Sequence, residues 1–317
     1  MILDKNDKIF ISGHKGMVGS AFLKHLQENG FKNLLVRSRA ELDLRNSESV
    51  KNFFKLEKPD VVFLIAAKVG GIQANIKFPA DFLYDNLMIQ NNLIQCSHES
   101  KLKKLIFFGS SCIYPRECKQ PMKEEYLLTG PLEPTNEGYA LAKISGIRLV
   151  QSYAKQYGLD GLCIMPSNLY GQNDSFDPEH SHVMSALVKK FVDAKIAEQN
   201  RVTVWGTGSA RREFFHVKDL IASVFFLLEH WTTTEIINVG AGVDISIKEL
   251  AELIAKKTGF KGEIDWDTSR PDGMPRKCMD VSKLENLGFR SSIPLEKGIE
   301  EVIEDYKNYL ANNKLQK

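Results

Sequence analysis

The residues that could do chemistry here are Ser110, Tyr139 and Lys143. Ser110-Ser111-Cys112-Ile113-Tyr114 follows the apolar run Lys104-Leu105-Ile106-Phe107-Phe108-Gly109. That run reads as a buried strand, so the hydroxyls fall at a strand's carboxyl end. Tyr139-Ala140-Leu141-Ala142-Lys143 opens a helix, and a spacing of four sets phenol and ammonium on one helix face. A cation beside a phenol lowers its pKa from about 10 and makes it a proton donor near neutral pH. Ser110 then hydrogen-bonds the carbonyl that Tyr139 protonates, which is an apparatus for hydride reduction of a ketone. The spacing alone is weak evidence. With nine tyrosines in the chain, about one such pair arises by chance, and taken in isolation a surface helix pair is the better explanation.

The preceding elements supply the context. Lys8-Ile9-Phe10-Ile11-Ser12 reads as a strand running into Gly13-His14-Lys15-Gly16-Met17-Val18-Gly19 and then an amphipathic helix over 20–29. Glycines three apart let the backbone turn sharply beside a pyrophosphate, and a helix N-terminus offers it unpaired amides. Lys15 adds a cation. The next strand, 33–36, ends in Arg37-Ser38-Arg39. An acid there would bind the ribose hydroxyls of NAD, whereas a base accommodates the 2′-phosphate, so NADP(H) is the expected cofactor. Asp43 precedes a helix over 47–57 and could cap it or contact the adenine. A third strand, 61–65, enters Ala66-Ala67-Lys68-Val69-Gly70-Gly71, small residues that permit close approach of a cofactor. A long helix spans 79–100, and the fourth strand ends at Ser110. This alternation predicts an α/β fold, a Rossmann-type doubly wound parallel sheet, with a smaller C-terminal α/β substrate lobe.

Composition limits the alternatives. The chain has 317 residues, 43% hydrophobic, and a formal net charge of +2, which favours neither nucleic acid nor an anionic membrane as partner. Its five cysteines (96, 112, 118, 163, 278) form no metal-ligand spacing and suit free thiols in a reducing cytoplasm. No signal-peptide core precedes Lys8 and no apolar run approaches about 18 residues, so a cytoplasmic protein is expected, with no metal.

With Ser110, Tyr139 and Lys143, the glycine pattern at 13–19 resembles the extended short-chain dehydrogenase/reductase superfamily. Blocks along nearly the whole chain narrow this to a resemblance to the GDP-L-fucose synthases: 13–20, 66–72, 109–115, Leu132-Glu133-Pro134-Thr135-Asn136, 168–171, Ser181-His182-Val183, Arg212-Glu213-Phe214 and 271–277. That family epimerises C3 and C5 of GDP-4-keto-6-deoxy-D-mannose and reduces C4 with NADPH. The resemblance implies Cys112 and His182 as the proton-exchanging pair. From the residues alone, Cys112 reads as a buried cysteine, and His180 competes with His182. It further implies cofactor contacts from Gly13, Lys15, Gly16, Met17, Val18, Gly19, Arg39, Asp43, Leu44, Ala66, Ala67, Lys143, Pro166, Asn168, Leu169 and His182. A GDP-sugar would meet Ser111, Lys190, Trp205, Arg212, Lys277 and Asp280, because cations and an aromatic suit a diphosphate and a guanine.

The same resemblance divides the chain into an NADP-binding domain, 1–165 with 212–242 returning to it, and a GDP-sugar lobe, 166–211 with 243–317. It also implies a homodimer through the long helices that begin near Pro79 and Tyr139. Ser246 and Glu249 form a capping pattern for a helix over 246–257. Gly138, Ser185, Arg211 and the loop 172–179 depart from the family pattern. A C4-reductase of a related GDP-4-keto sugar, such as a heptose for surface polysaccharide, is the alternative activity. A nucleotide-sensing protein without turnover would not need the intact Ser/Tyr/Lys set.

Overall fold

The computed structural model describes residues 1–177, 181–270 and 272–314. In chain order the first half carries β1 (Ile9–Ser12), α1 (Met17–Glu28), β2 (Leu34–Leu35), α2 (Ser47–Glu57), β3 (Val61–Leu64), α3 (Ile72–Lys77), α4 (Pro79–Glu99), β4 (Lys104–Phe108), α5 (Glu137–Tyr157) and β5 (Gly161–Pro166). The second half carries β6 (Asn168–Tyr170), α6 (Val183–Ile196), β7 (Arg201–Trp205), β8 (Arg211–His216), α7 (Val217–His230), β9 (Ile236–Val239), β10 (Asp244–Ser246), α8 (Ile247–Thr258), β11 (Glu263–Asp267), β12 (Arg276–Lys277), α9 (Ser282–Asn286) and α10 (Leu295–Lys314).

Six strands form one sheet in the order β2-β1-β3-β4-β5-β9, and every pairing is parallel. Both faces are covered, so the strands are largely apolar and alternate residues serve opposite cores. Ile9, Ile11, Val61, Phe63, Ile106 and Phe108 pack with Phe22 of α1 and Leu220 of α7. Phe10, Val62, Leu64, Leu105 and Phe107 pack with α2, α4 and α5 through Phe53, Leu93 and Ile147. The strand order reverses between β1 and β3, which opens a ligand crevice at their carboxyl ends.

The expected helices and strands of this half are present with shifted ends. Helix α1 begins inside the glycine pattern, at Met17, and α3 is an additional short helix. Asp43 does not cap α2: that position belongs to Asn46, whose side chain accepts from the Ser49 amide. Asp43 lies too far upstream and takes up Arg45 instead. The Ser246 capping box on α8 is present in both directions.

The smaller lobe has its own core, in which Leu187 and Phe191 of α6 meet Leu250 and Ile254 of α8, Ile299 and Val302 of α10, and Val202 and Val204 of β7. Strand β8 lies between β10 and β12 and also pairs with β6, while β7 pairs with β11. Within 212–242, β8 thus joins this small sheet, whereas β9 completes the large one. Two residues among the family-like departures have structural partners here. Ser185 donates to Asp174, and Arg211 donates to Asp244 at 2.8 Å.

Candidate active site

The glycine loop is shaped by close approach. Gly13 has φ +78°, and a Cβ there would lie 3.1 Å from the Ala66 Cα. At Gly19 a Cβ would fall 2.2 Å from the Gly13 carbonyl oxygen, so α1 can press against the loop only without a side chain. No side chain caps α1 at Gly16, and its first turn holds no acid, so the helix offers amides and partial positive charge to an anion. Nδ1 of His14, inside the loop, is buried without a hydrogen-bond partner. These features fit a dinucleotide pyrophosphate.

Ser12 fixes the facing wall. Its hydroxyl donates to the Phe63 carbonyl and accepts from the Ile65 and Ala66 amides, each at 3.0 Å. Asn86 of α4 holds the next stretch, accepting from the Lys68 amide at 2.8 Å and donating to the Lys68 carbonyl at 3.0 Å. Ala66 and Ala67 therefore stand on a loop tied to both β1 and α4. Met17 and Val18 lie in the first turn of α1, and Lys15 is exposed beside them.

Beyond β2, Arg37 pairs with Glu57 and lies over the Phe53 ring. It is thereby committed to the fold, while Arg39 is exposed. The Arg45 guanidinium holds the Asp43 carboxyl down at about 2 and also reaches Asp85 at 3.1 Å. The Leu44 carbonyl accepts from Asn92 at 2.9 Å. At the other side of the crevice Pro166 ends β5, and the Asn168 side chain donates to the Glu213 carbonyl at 2.8 Å, with Leu169 next to it on β6.

At the end of β4 the chain turns through a single 3₁₀ turn, Ser111–Ile113, and the Ser110 hydroxyl accepts from the Cys112 amide at 3.2 Å. Ser111 is buried. The Ser110 hydroxyl faces the Tyr139 phenol. Burial, then the neighbouring Cys112, push the phenol above its ordinary pKa, and Ser110 opposes them. This corrects the expectation that Lys143 depresses the phenol. The ammonium lies 5.8 Å from the Tyr139 ring centre but donates to the Phe108 carbonyl at 2.7 Å. Desolvation sets the direction, and the phenol is held as an acid. Burial also lowers Lys143 to about 8, so it remains mostly a cation at neutral pH.

Cys112 is partly buried, and two donors reach its sulfur: Asn136 Nδ2 at 3.2 Å and Lys277 Nζ at 3.4 Å. Lys277 stands in register with Arg212 across β12 and β8, so the two cations project from one face of the small sheet. Burial lowers Arg212, which donates to the Asp272 carbonyl at 3.3 Å. Lys190 donates to the Thr203 carbonyl at 2.8 Å and lies 5.3 Å from the Trp205 ring centre. Arg270 also lies over that ring, at 5.1 Å, and Trp205 is 54% exposed. The Asp280 carboxylate accepts from Ser282 at the start of α9, so it is engaged with its own turn. His182 is the exposed residue preceding α6, and His180 lies outside the described residues.

The structure thus gathers Ser110, Tyr139, Lys143, Cys112 and Lys277 at the end of β4. Lys190 and Trp205 form a separate group on the lobe. Sequence reasoning missed Ser12, Asn136 and Arg270. Position was the one available signal for Ser12, a hydroxyl closing a strand before a glycine loop. Among the described residues, no cluster of His, Cys, Asp or Glu has a metal-binding arrangement.

Residues 9–240 match the model of the NAD dependent epimerase/dehydratase family. The chain is 51% identical to the probable GDP-L-fucose synthase 1 of Oryza sativa subsp. japonica, over 98% of this chain and 94% of that protein. It is 50% identical to the GDP-L-fucose synthase of Escherichia coli strain K12, over 92% of this chain and 94% of that protein. Among solved structures, a GDP-mannoheptose C4 reductase from Campylobacter jejuni with NADP bound is 39% identical. It superposes with a TM-score of 0.87, covering 96% of this chain and 99% of that one.

Proposed function

The chain belongs to the NAD-dependent epimerase/dehydratase family, and we propose that it works as a GDP-L-fucose synthase, converting GDP-4-keto-6-deoxy-D-mannose to GDP-L-fucose with NADP(H). The observation that carries this reading is the meeting of Cys112 with the Ser110–Tyr139 hydroxyl pair at one strand end. A simple reductase needs the hydroxyls and the lysine. Proton exchange beside a ketone needs an acid and a base as well.

NADP(H) bound along the Gly13–Gly19 loop supplies the hydride for C4. Lys15 and Arg39 are the exposed cations available to its phosphates, and Met17, Val18, Ala66 and Ala67 line its path, with Asp43 and Leu44 at the adenine end. Pro166, Asn168 and Leu169 flank the nicotinamide side. Ser110 and Tyr139 hydrogen-bond the C4 oxygen, which stabilises the enolate formed when a C3 or C5 proton leaves. In each epimerisation the C–H pair becomes the enolate double bond, the proton passes to one of Cys112 and His182, and reprotonation occurs from the opposite face. Tyr139 then protonates the C4 oxygen during reduction. Lys143 holds the Phe108 carbonyl and presents its charge to the cofactor ribose and to Tyr139. Lys190, Arg212 and Lys277 meet the diphosphate, Trp205 the guanine, and Ser111 and Asp280 shape the sugar end.

This reading divides the chain into 1–165 with 212–242 for the cofactor, and 166–211 with 243–317 for the GDP-sugar. It places the protein in the cytoplasm, in GDP-fucose supply for polysaccharide, as a homodimer. Helices α4 and α5 carry the exposed Tyr84 and Leu141, which supports pairing there; sedimentation as a monomer at micromolar concentration would count against it.

The likeness to a GDP-mannoheptose C4 reductase keeps C4 reduction of a GDP-4-keto-heptose as the second reading. Incubation with GDP-4-keto-6-deoxy-D-mannose and NADPH in deuterated water separates the two. GDP-fucose labelled at C3 and C5 is expected, with label lost in Cys112→Ser. Oxidation of NADPH without label would leave the reductase alone.

A further inference from the structure

We propose that Asn136 and Lys277 are positioning residues that hold the Cys112 sulfur as a hydrogen-bond acceptor and so ready it to take a substrate proton; this rests on the epimerase reading above. The two donors come from unrelated parts of the chain. Asn136 immediately precedes α5, three residues from Tyr139, and Lys277 comes from β12, 165 residues along the chain from Cys112. Neither contact is a by-product of local chain geometry.

The Asn136 amide is aimed in the direction that such a role requires. Its Nδ2 donates to the sulfur at 3.2 Å, while its Oδ1 is buried with no partner. An unpaired buried acceptor costs about 1–3 kcal/mol. The opposite orientation would let the oxygen accept from a neutral S–H. The observed one commits an N–H to a sulfur that accepts, and the ammonium of Lys277 adds a charge-assisted bond at 3.4 Å.

The surroundings of the sulfur agree with this. Lys277 faces it from β12, next to Arg212 on β8, and also acts on Cys118. The Tyr139 phenol faces it from α5, with Lys143 behind the phenol. The carboxylate of Glu133, on the segment that carries Asn136, is turned to Thr135 and Arg116. Lys277, anticipated as a diphosphate contact, thereby has a second task. In the step itself the substrate C–H bond breaks, the S–H bond forms, and the C–H electron pair enters the enolate.

The test is the rate of Cys112 alkylation by iodoacetamide at neutral pH in the full chain with NADPH bound, read on the Cys112 peptide by mass spectrometry. In Asn136→Ala and Lys277→Met the rate should fall by about 10-fold. Asn136→Asp, isosteric but without the donor, should lower it further, and Lys277→Arg should preserve it. NADPH binding reports that each variant is folded, and Asn136→Asp carries the test if the alanine variant is not. Rates that coincide with the unaltered chain in all variants would overturn the proposal. Reduced rates without deuterium at C3 or C5 in the unaltered chain would support the arrangement around the sulfur while sinking the epimerase reading.

Discussion

At the scale of single residues, the site is governed by desolvation. Tyr139 is raised by burial and thus stays protonated, the state a proton donor needs. Tyr139→Phe keeps the ring and removes the proton, so C4 reduction should fall by about 10²–10⁴-fold, measured as NADPH oxidation, with cofactor affinity nearly unchanged. Lys143 is lowered to about 8 from 10.5. A base whose pKa is lower in the folded than in the unfolded chain binds fewer protons when folded between those values. Folding stability on this group's account therefore rises with pH from about 8 to about 10.5. In the folded chain the cation beside Tyr139 is lost around pH 8. The reduction rate should therefore show a basic limb near pH 8, and Lys143→Arg, which stays charged, should move that limb upward. A limb in the unaltered chain that stays near pH 10 would contradict this assignment. The spacing of Tyr139 and Lys143 was legible from sequence, but the direction of the phenol's shift was not. It depends on how deeply the phenol is buried and on the Phe108 carbonyl that takes the ammonium, neither of which periodicity reveals.

At the scale of elements, the parallel strands and their helices were readable because both sheet faces are buried. That leaves continuous apolar runs at 9–11, 61–64 and 105–108 with polar turns between them. What holds the loops at their ends was not readable. Ser12 looks like one more strand residue, yet it ties β1 to the Ala66 loop through three bonds. Ser12→Ala would leave the Phe63 carbonyl and the Ile65 and Ala66 amides without that partner and loosen the wall facing Gly13. The expected result is a weaker NADPH affinity by about 10-fold or more, seen in fluorescence titration, with reduction at saturating cofactor much less affected. Cap placement gives a sharper contrast. Asn46→Ala should cost about 1 kcal/mol in denaturant unfolding, because Asn46 caps α2. Asp43→Asn should act mainly through the Arg45 pairing, and an equal loss of α2 stability in both variants would contradict the assignment of the cap.

At the scale of the molecule, buried polar side chains join the large sheet to the smaller lobe, alongside the apolar contacts of Met279, Val281 and Leu284. Glu213 of β8 is fully buried, and it accepts from the Gly242 amide at 3.0 Å and the Met279 amide at 2.7 Å, and from the Ala241 amide. Asn238 of β9, also fully buried, donates to the Met122 carbonyl at 2.9 Å and the Asp280 carbonyl at 3.0 Å, and accepts from Tyr114. These bonds reach across 28 to 124 residues of chain, which is why no local pattern disclosed them. The same ties bring β12 and its Lys277 to the turn that carries Cys112. Cooperativity follows from such a joint: neither lobe can open without stranding amides that Glu213 satisfies. Thermal unfolding should be a single transition in which calorimetric and van't Hoff enthalpies agree. Glu213→Ala would leave three amides unpaired at about 1–3 kcal/mol each, so the whole transition should move down rather than split. Two separated transitions, one keeping the original midpoint, would mean that the lobes fold independently and that Lys277 reaches Cys112 without help from this joint.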